Sequence, residues 1–269
     1  MCYSYKTINT THTPILNNVD VVLIITMEGS NRFKEDPFLL NLAKKTIIQY
    51  NKGFKEGNKP ITITNSKQDI VHAYYTAFEY LKCYNNVIIL EDDAQVINKD
   101  IQIYDKINTF IAVEKYNIFS FGSFGLFSKY KNDFLKIDYG VIGAAQAIIY
   151  SHNARNKLME DISSSNFNRG HIDLTYLTSL DRKFTYKYPL IVQLFPKTNN
   201  MNIWFNNIFI LNICKYLLVL LKLDTCIDSW FLLYFLFRHY ILIITLTILL
   251  TILLLYNLLY YNISKSRFV

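Results

Sequence analysis

The sequence predicts an α/β fold built on a mostly parallel sheet with flanking helices, followed by a C-terminal transmembrane helix. Three observations lead there. Short apolar runs rich in β-branched residues alternate with segments of helical period, the pattern of strands joined by crossover helices. One such run, Val87–Leu90, passes directly into Glu91-Asp92-Asp93. Near the end, Tyr240–Ser264 is 25 residues long, carries no charge and is dominated by Leu and Ile.

The chain has 269 residues, of which 51% are hydrophobic, with a mean hydropathy of +0.14. The apolar excess concentrates after about residue 206, leaving an N-terminal part of ordinary composition and sufficient length for a proper core. Net charge is +7, and residues 1–206 carry 23 Lys and Arg against 19 Asp and Glu. That excess is modest and has no long basic run. It favours anionic substrates or a membrane surface and argues against nucleic acid, whose binders present a clustered basic face. The four cysteines, Cys2, Cys83, Cys214 and Cys226, include no C-x-x-C pair, so neither a disulfide framework nor a zinc site is expected.

Residues 1–18 are Thr- and Asn-rich without a period and read as a flexible lead-in. Asp20–Met27 reads as a buried strand closed by a turn at Glu28-Gly29-Ser30-Asn31. Phe38, Leu39, Leu42, Ile47 and Ile48 fall at helical spacing and predict a helix over Asp36–Tyr50. Ile61–Thr64 alternates as a short strand. Ser66-Lys67-Gln68-Asp69 resembles a capping box that opens a helix to about Tyr84. Beyond the acidic triplet, a helix is predicted over Lys99–Lys115 and a strand over Asn117–Phe121, with a weaker strand at Asp133–Tyr139. Val141–Tyr150 mixes small residues with a strand-like end, and Ser151 can cap a helix to about Asp161. A short helix at His171–Leu180 and strands near Phe184–Tyr188 and Leu190–Leu194 complete a domain spanning residues 19–205.

Residues 206–228 form a linker that reads as an interfacial helix, with Asn212, Lys215 and Lys222 along one narrow side of Asn207–Lys222. Residues 229–269 read as the anchor, since about 20 apolar residues cross a bilayer's hydrocarbon core. Trp230, Tyr234, Tyr260 and Tyr261 lie near its ends, as interfacial aromatics do. With no signal peptide visible, the expected topology is a single-pass membrane protein with a C-terminal anchor and a cytosolic N-terminal domain.

Three adjacent acids at the exit of a buried strand sit where open α/β sheets bind ligands. They repel one another unless a cation or a proton intervenes. A Mg²⁺ or Mn²⁺ carrying a substrate diphosphate is the natural candidate, because hard cations share oxygen ligands with phosphate. A solvated acidic turn is the alternative. Arg32 is either a phosphate ligand or a surface ion-pair partner, and His72 reads better as a satisfied core histidine than as a functional group. Gln146 either hydrogen-bonds a ligand or merely accompanies the close packing of Gly143–Ala147, and Gln193 reads as structural.

The ordered series is a strand followed by Asn31-Arg32, a helix with Ile70-Val71-His72-Ala73, and Val87–Leu90 leading into Glu91-Asp92-Asp93. Then come Tyr150-Ser151 before a helix, His171-Ile172-Asp173, and Pro189-Leu190-Ile191-Val192-Gln193. This series resembles glycosyltransferase family 25, the lipopolysaccharide and collagen galactosyltransferase-like group, over roughly Val21–Gln193. Its most specific match is the "LEDD" at Leu90–Asp93. The chain departs from the family pattern at Val71, where a Ser usually precedes the histidine, at Asn153, where a Gly is usual, and at Gly170-His171, where a Pro is usual.

The resemblance implies a GT-A-like, Rossmann-related fold and a hexosyltransferase, inverting at the sugar carbon. The donor would be a nucleotide sugar such as a UDP-hexose, and the acceptor a hydroxyl on a glycan, glycolipid or protein. It implies a DxD-like pair at Glu91 and Asp93, with Asp93 and Glu91 on Mn²⁺ or Mg²⁺ and Asp92 or Glu91 toward the ribose or the metal's waters. Arg32 and Gln146 would contact the donor, and Asp173, with His171 as the alternative, would be the base. The membrane-lipid partner is reached through the C-terminal helix. Two other readings compete: a sugar nucleotidyltransferase, which would need a Gly-rich phosphate loop that Glu28–Arg32 does not provide, and a non-catalytic membrane protein on a degenerate transferase scaffold.

Overall fold

The structure is a computed structural model that describes residues 2–9, 13–30, 32, 35–56, 58–122, 124–143, 147–193, 220, 245–254 and 256. Its centre is a nine-stranded sheet in the order β1-β3-β2-β4-β9-β6-β10-β8-β7, beside a two-stranded ribbon of β11 and β5. The strands are β1 (Tyr3–Asn9), β2 (Val21–Met27), β3 (Lys45–Asn51), β4 (Val87–Glu91), β5 (Ala94–Val96), β6 (Ile118–Ser120), β7 (Phe124–Lys129), β8 (Phe134–Gly143), β9 (Ala147–Tyr150), β10 (Lys183–Tyr186) and β11 (Ile191–Gln193). The α-helices among them are α1 (Pro37–Leu40), α2 (Ser66–Tyr80), α3 (Ile101–Val113) and α4 (His152–Ser164). In the large sheet β3, β4, β6, β10 and β7 run with β2, whereas β1, β9 and β8 run against it. Most strands therefore share a direction, and the sheet is mixed because antiparallel strands are interleaved.

Strands β2 and β4 are apolar on both faces because each face is covered. Val21, Leu23, Ile25, Val87 and Ile89 join the core beneath α2 and α4. Val22, Ile24, Ile88 and Leu90 join the opposite core, with Leu39 of α1 and Tyr104, Ile107, Phe110 and Ile111 of α3. The continuous apolar runs are the signature of strands buried on both sides. From β2 the chain crosses to β3 on one flank and returns past it to β4 on the other. The sheet thus reverses its winding between β2 and β4, and open α/β sheets bind ligands outside the carboxyl ends of their strands at such a point.

Several expectations are corrected. The helix predicted over Asp36–Tyr50 is only the single turn of α1, and Lys45–Asn51 is β3. The apolar spacing matched both periods, but Thr46-Ile47-Ile48 are three β-branched residues in a row. They lie buried between β1 and β2, with Thr46 and Gln49 fully enclosed. The lead-in is not loose: Tyr3–Asn9 pairs antiparallel with all of β3, and Ile15 and Leu16 donate to the carbonyls of Asn41 and Leu42. Ile61–Thr64 is a turn rather than a strand, with Ile61 95% exposed. The cap of α2 falls one residue earlier than expected. Asn65 accepts from the Gln68 amide, while the Gln68 side chain accepts from Thr64 and Asn65.

The predicted linker at 206–228 lies outside the described residues, apart from residue 220. Of the predicted span, residues 245–254 are helical. Among the described residues no helix is long and apolar enough to cross a membrane; most of the predicted anchor is outside them.

A buried arginine ties the helices of one face together. Arg155 of α4 is 1% exposed and donates to the carbonyls of Leu81, Tyr84, Asn85 and Tyr150, closing the C-terminal end of α2. A cation at a helix C-terminus is favourable, and here it also satisfies acceptors that water cannot reach. Arg155→Met should therefore lose about 3 kcal/mol of unfolding free energy, since each stranded buried acceptor costs about 1–3 kcal/mol and part will relax. Urea titration followed by circular dichroism measures it, and a loss below about 0.5 kcal/mol would show that those carbonyls find other partners.

Candidate functional site

The carboxyl ends of β2 and β4 gather the charged residues. Register pairs Ile25 with Glu91, so the chain leaving β2 at Thr26 runs beside the chain leaving β4 at Asp92. Asp92 and Asp93 form the tight turn between β4 and β5, and the pairing of β5 with β11, which sets Gln193 opposite Ala94, holds that turn in place. Both aspartates are buried, 8% and 6% exposed.

Each acid of the triplet has a different environment. Asp92 accepts hydrogen bonds on Oδ2 from the Thr26 hydroxyl at 2.9 Å and the Ser30 hydroxyl at 3.1 Å. Its Oδ1 lies 3.2 Å from Nη2 of Arg32. The same nitrogen donates to Asp93 Oδ2, so one guanidinium bridges both aspartates. Gly29, at φ +76°, lets the turn after β2 fold back so that Ser30 reaches Asp92, and the Arg32 amide in turn donates to the Ser30 hydroxyl.

Glu91 faces the opposite way, toward α2, where the hydroxyl of fully buried Tyr74 donates to its Oε1 at 3.0 Å. Burial, then the charge of Asp93, then those of Asp173 and Asp92, push its carboxyl up to about 8, against the lowering effect of the Tyr74 bond. Burial and like charge thus both favour the protonated form of Glu91.

Asp173 sits in the first turn of a short π-helical segment, Ile172–Tyr176, and its charge raises Glu91, Tyr74 and Tyr150 alike. The fold thus brings Asp173 within electrostatic reach of the triplet although 82 positions separate it from Glu91. His171 precedes that segment and is shifted downward by burial and by Lys67. His72 is held apart: the Tyr3 hydroxyl lies 2.7 Å from its Nδ1, the rings of Tyr3 and Phe167 pack on it, and burial lowers its pKa. Gln146 lies outside the described residues.

The sequence reading did not single out Thr26, Ser30 or Tyr74, the groups that hold two of the three acids. It also passed over a buried pair one strand away. Near the end of β3, Lys59 is 1% exposed by side chain and binds Asp69 of α2 and Asn51, beneath the ring of Tyr3 at 4.9 Å. Only the final polar residues of apolar runs, Thr26 and Asn51, hinted at such clusters.

The carboxylates at this edge offer oxygen donors, the chemistry that Mg²⁺ and Mn²⁺ accept. Among the described residues, however, no three His, Cys, Asp or Glu side chains are grouped to hold a metal by themselves. Two open surface grooves lie elsewhere. One is lined by Lys136, Thr178 and Lys183, the other by Asn86, Asn117 and His152, and neither includes Arg32, Glu91, Asp92 or Asp93.

No family model matches the chain, and no curated protein sequence matches it. Among solved structures it is similar to A197 from STIV, at 13% identity over 65% of this chain and 93% of that one, with a TM-score of 0.34. It is also similar to mannose-1-phosphate geranyltransferase from Thermus thermophilus, at 9% identity over 63% and 73% of the two chains, with a TM-score of 0.35. A third is apo-UDP-glucose pyrophosphorylase, at 11% identity over 63% and 76%, with a TM-score of 0.35. Likeness at that level carries no argument about this chain's chemistry, which rests on its own residues.

The turn that delivers Asp173 depends on Gly170, whose φ of +133° disfavours any L side chain and whose added Cβ would stand 2.5 Å from Thr175 Oγ1. Gly170→Ala should cost more than about 1 kcal/mol in denaturant unfolding. The double variant Gly170→Ala/Thr175→Ala removes the clash but not the backbone strain, so it should recover only part of the loss. Full recovery would show that the strain is unimportant.

Proposed function

We propose that the chain is a metal-dependent glycosyltransferase, a diverged relative of family 25, that transfers a hexose from a nucleotide sugar such as a UDP-hexose to an acceptor hydroxyl. The observation that supports this most is the meeting of Arg32 with Asp92 and Asp93 at the point where the sheet reverses its winding, with Glu91 turned toward α2 and Asp173 within electrostatic reach of it. The acceptor class is a glycan, glycolipid or protein, and the predicted C-terminal helix would bring the domain to a membrane.

The carboxylates fit a Mg²⁺ or Mn²⁺ that arrives with its diphosphate, since such ions are held by one or two carboxylates plus substrate phosphates rather than by an all-protein cage. Asp93 is the ligand in this reading. Asp92 is committed on one oxygen to Thr26 and Ser30 and serves to fix the turn. Glu91 is turned toward α2 and accepts from Tyr74, so in this reading it stands apart from the cation. A bound divalent ion offsets the charge that develops on the departing diphosphate. Arg32 has a fork free to add charge-assisted hydrogen bonds to phosphate once it leaves the aspartates. Asp173 takes the acceptor hydroxyl's proton as the sugar carbon inverts, with His171 as the alternative base.

One observation favours a second reading, a non-catalytic membrane protein on a degenerate transferase scaffold. Arg32 already neutralises the two aspartates without a ligand. The full-length protein incubated with UDP-sugars and Mn²⁺ distinguishes them. Release of UDP is expected, and Asp93→Asn should reduce it by at least about a hundredfold, as loss of a group that stabilises developing charge does. Undiminished release in that variant removes Asp93 from the metal, and silence across a panel of nucleotide sugars supports the scaffold reading.

A further inference from the structure

We propose that Arg32 is a resident counter-cation that a divalent metal must displace from Asp92 and Asp93, so that metal binding is held weak until a nucleoside diphosphate gives the guanidinium another partner. The inference rests on the metal reading above and concerns what regulates that site. Its basis is the way Arg32 is attached. A single nitrogen, Nη2, serves both aspartates, at 3.2 Å from Asp92 and in contact with Asp93. The parallel two-bond fork that makes an Arg–carboxylate pair strong is not used. Nε of Arg32 is enclosed and has no hydrogen-bond partner among the described residues. The attachment leaves much of the guanidinium's donor capacity unspent.

The two sides of the contact also differ in freedom. The Arg32 side chain is 35% exposed, against 7% and 4% for those of Asp92 and Asp93. The acids are the fixed partners and the arginine the departing one. Asp92 keeps its two hydroxyl donors, Thr26 and Ser30, whether or not Arg32 stays. The turn therefore retains its shape when the guanidinium leaves, and oxygens become available without refolding. A divalent cation on those oxygens competes with the guanidinium, because the two positive charges would stand within a few ångströms of each other and each weakens the other's hold. The phosphates that accompany the metal are the partners that use an arginine's fork best. Metal and diphosphate are then coupled positively through one side chain, and by linkage each tightens the other equally.

Titration of the full-length protein with Mn²⁺ alone, read by the loss of the free-ion electron-spin signal, tests the exchange. Arg32→Gln should bind Mn²⁺ about tenfold more tightly than the wild type, whereas Arg32→Lys, which keeps the charge, should not gain. Adding UDP should tighten Mn²⁺ by about tenfold in the wild type and by much less in Arg32→Gln. Mn²⁺ should also raise the thermal midpoint of Arg32→Gln more than that of the wild type, which reports on a folded variant directly. Equal or weaker Mn²⁺ binding by Arg32→Gln, or an equal gain in Arg32→Lys, overturns the exchange while leaving the metal reading standing. No Mn²⁺ binding by any of the proteins, with or without UDP, overturns both.

Discussion

The structure turns on a problem of like charge. Three carboxyl groups follow one another at the mouth of a strand buried on both faces, and two of them stay below one-tenth exposure. Two unit charges 4 Å apart interact by about 4 kcal/mol at an effective dielectric of 20, a large fraction of a domain's net stability. The fold disperses that repulsion in three different ways. Glu91 is turned beneath Tyr74, where burial favours its protonated form, Asp92 is wrapped by two hydroxyls, and Arg32 supplies a positive charge to Asp92 and Asp93 together. Each solution needs an element placed by the sheet: α2 for Tyr74, the exit of β2 for Thr26, and the turn after it for Ser30 and Arg32. The register that sets Ile25 beside Glu91 is what lets all three operate at once.

A second buried charge, one strand away, shows the same economy. Lys59 and Asp69 pair below the surface, with Asn51 filling the remaining valences and the Tyr3 ring closing the top. Burying an ion pair costs desolvation that only good geometry and added hydrogen bonds offset. Here the added bonds come from the end of β3 and the cover from β1, the segment nearest the N-terminus. Tyr3 thereby links the edge of the sheet to His72 on α2, so the strand order and the polar contacts at its carboxyl edge are specified together.

Much of the fold was legible because its strongest signals were local. β2 and β4 announce themselves as unbroken apolar runs, α3 by its period, and α4 by a serine that caps it by accepting from Ala154. The failures came where a local pattern served two structures equally well. Around Thr46-Ile47-Ile48 the apolar spacing fitted a helix, and only the presence of β1 and β2 on either side decided for a strand. The polar character of residues 3–9 hid β1, because an edge strand needs one apolar row at most and gains its order from backbone pairing. At the site, the acids were visible as acids, and Arg32 and Asp173 were named from the resemblance. What holds them was not visible. Thr26, Ser30 and Tyr74 are ordinary residues until the register and the crossing of α2 aim their hydroxyls at carboxylates.

The three acids therefore cannot be treated as interchangeable members of one motif. A strand places alternate side chains on opposite faces, so Glu91 turns toward α2 while the chain that follows curls into Asp92 and Asp93. Burial under α2 favours the protonated form of the first, and hydroxyl bonds commit one oxygen of the second. The third meets the Arg32 guanidinium, a partner far more exposed than itself, and exchange of that partner for a ligand is easiest there because neither the Thr26 nor the Ser30 hydroxyl engages it. The division of labour follows from which side of the sheet each residue leaves and from the Tyr74, Thr26, Ser30 and Arg32 side chains that the β2–β4 register brings to meet it.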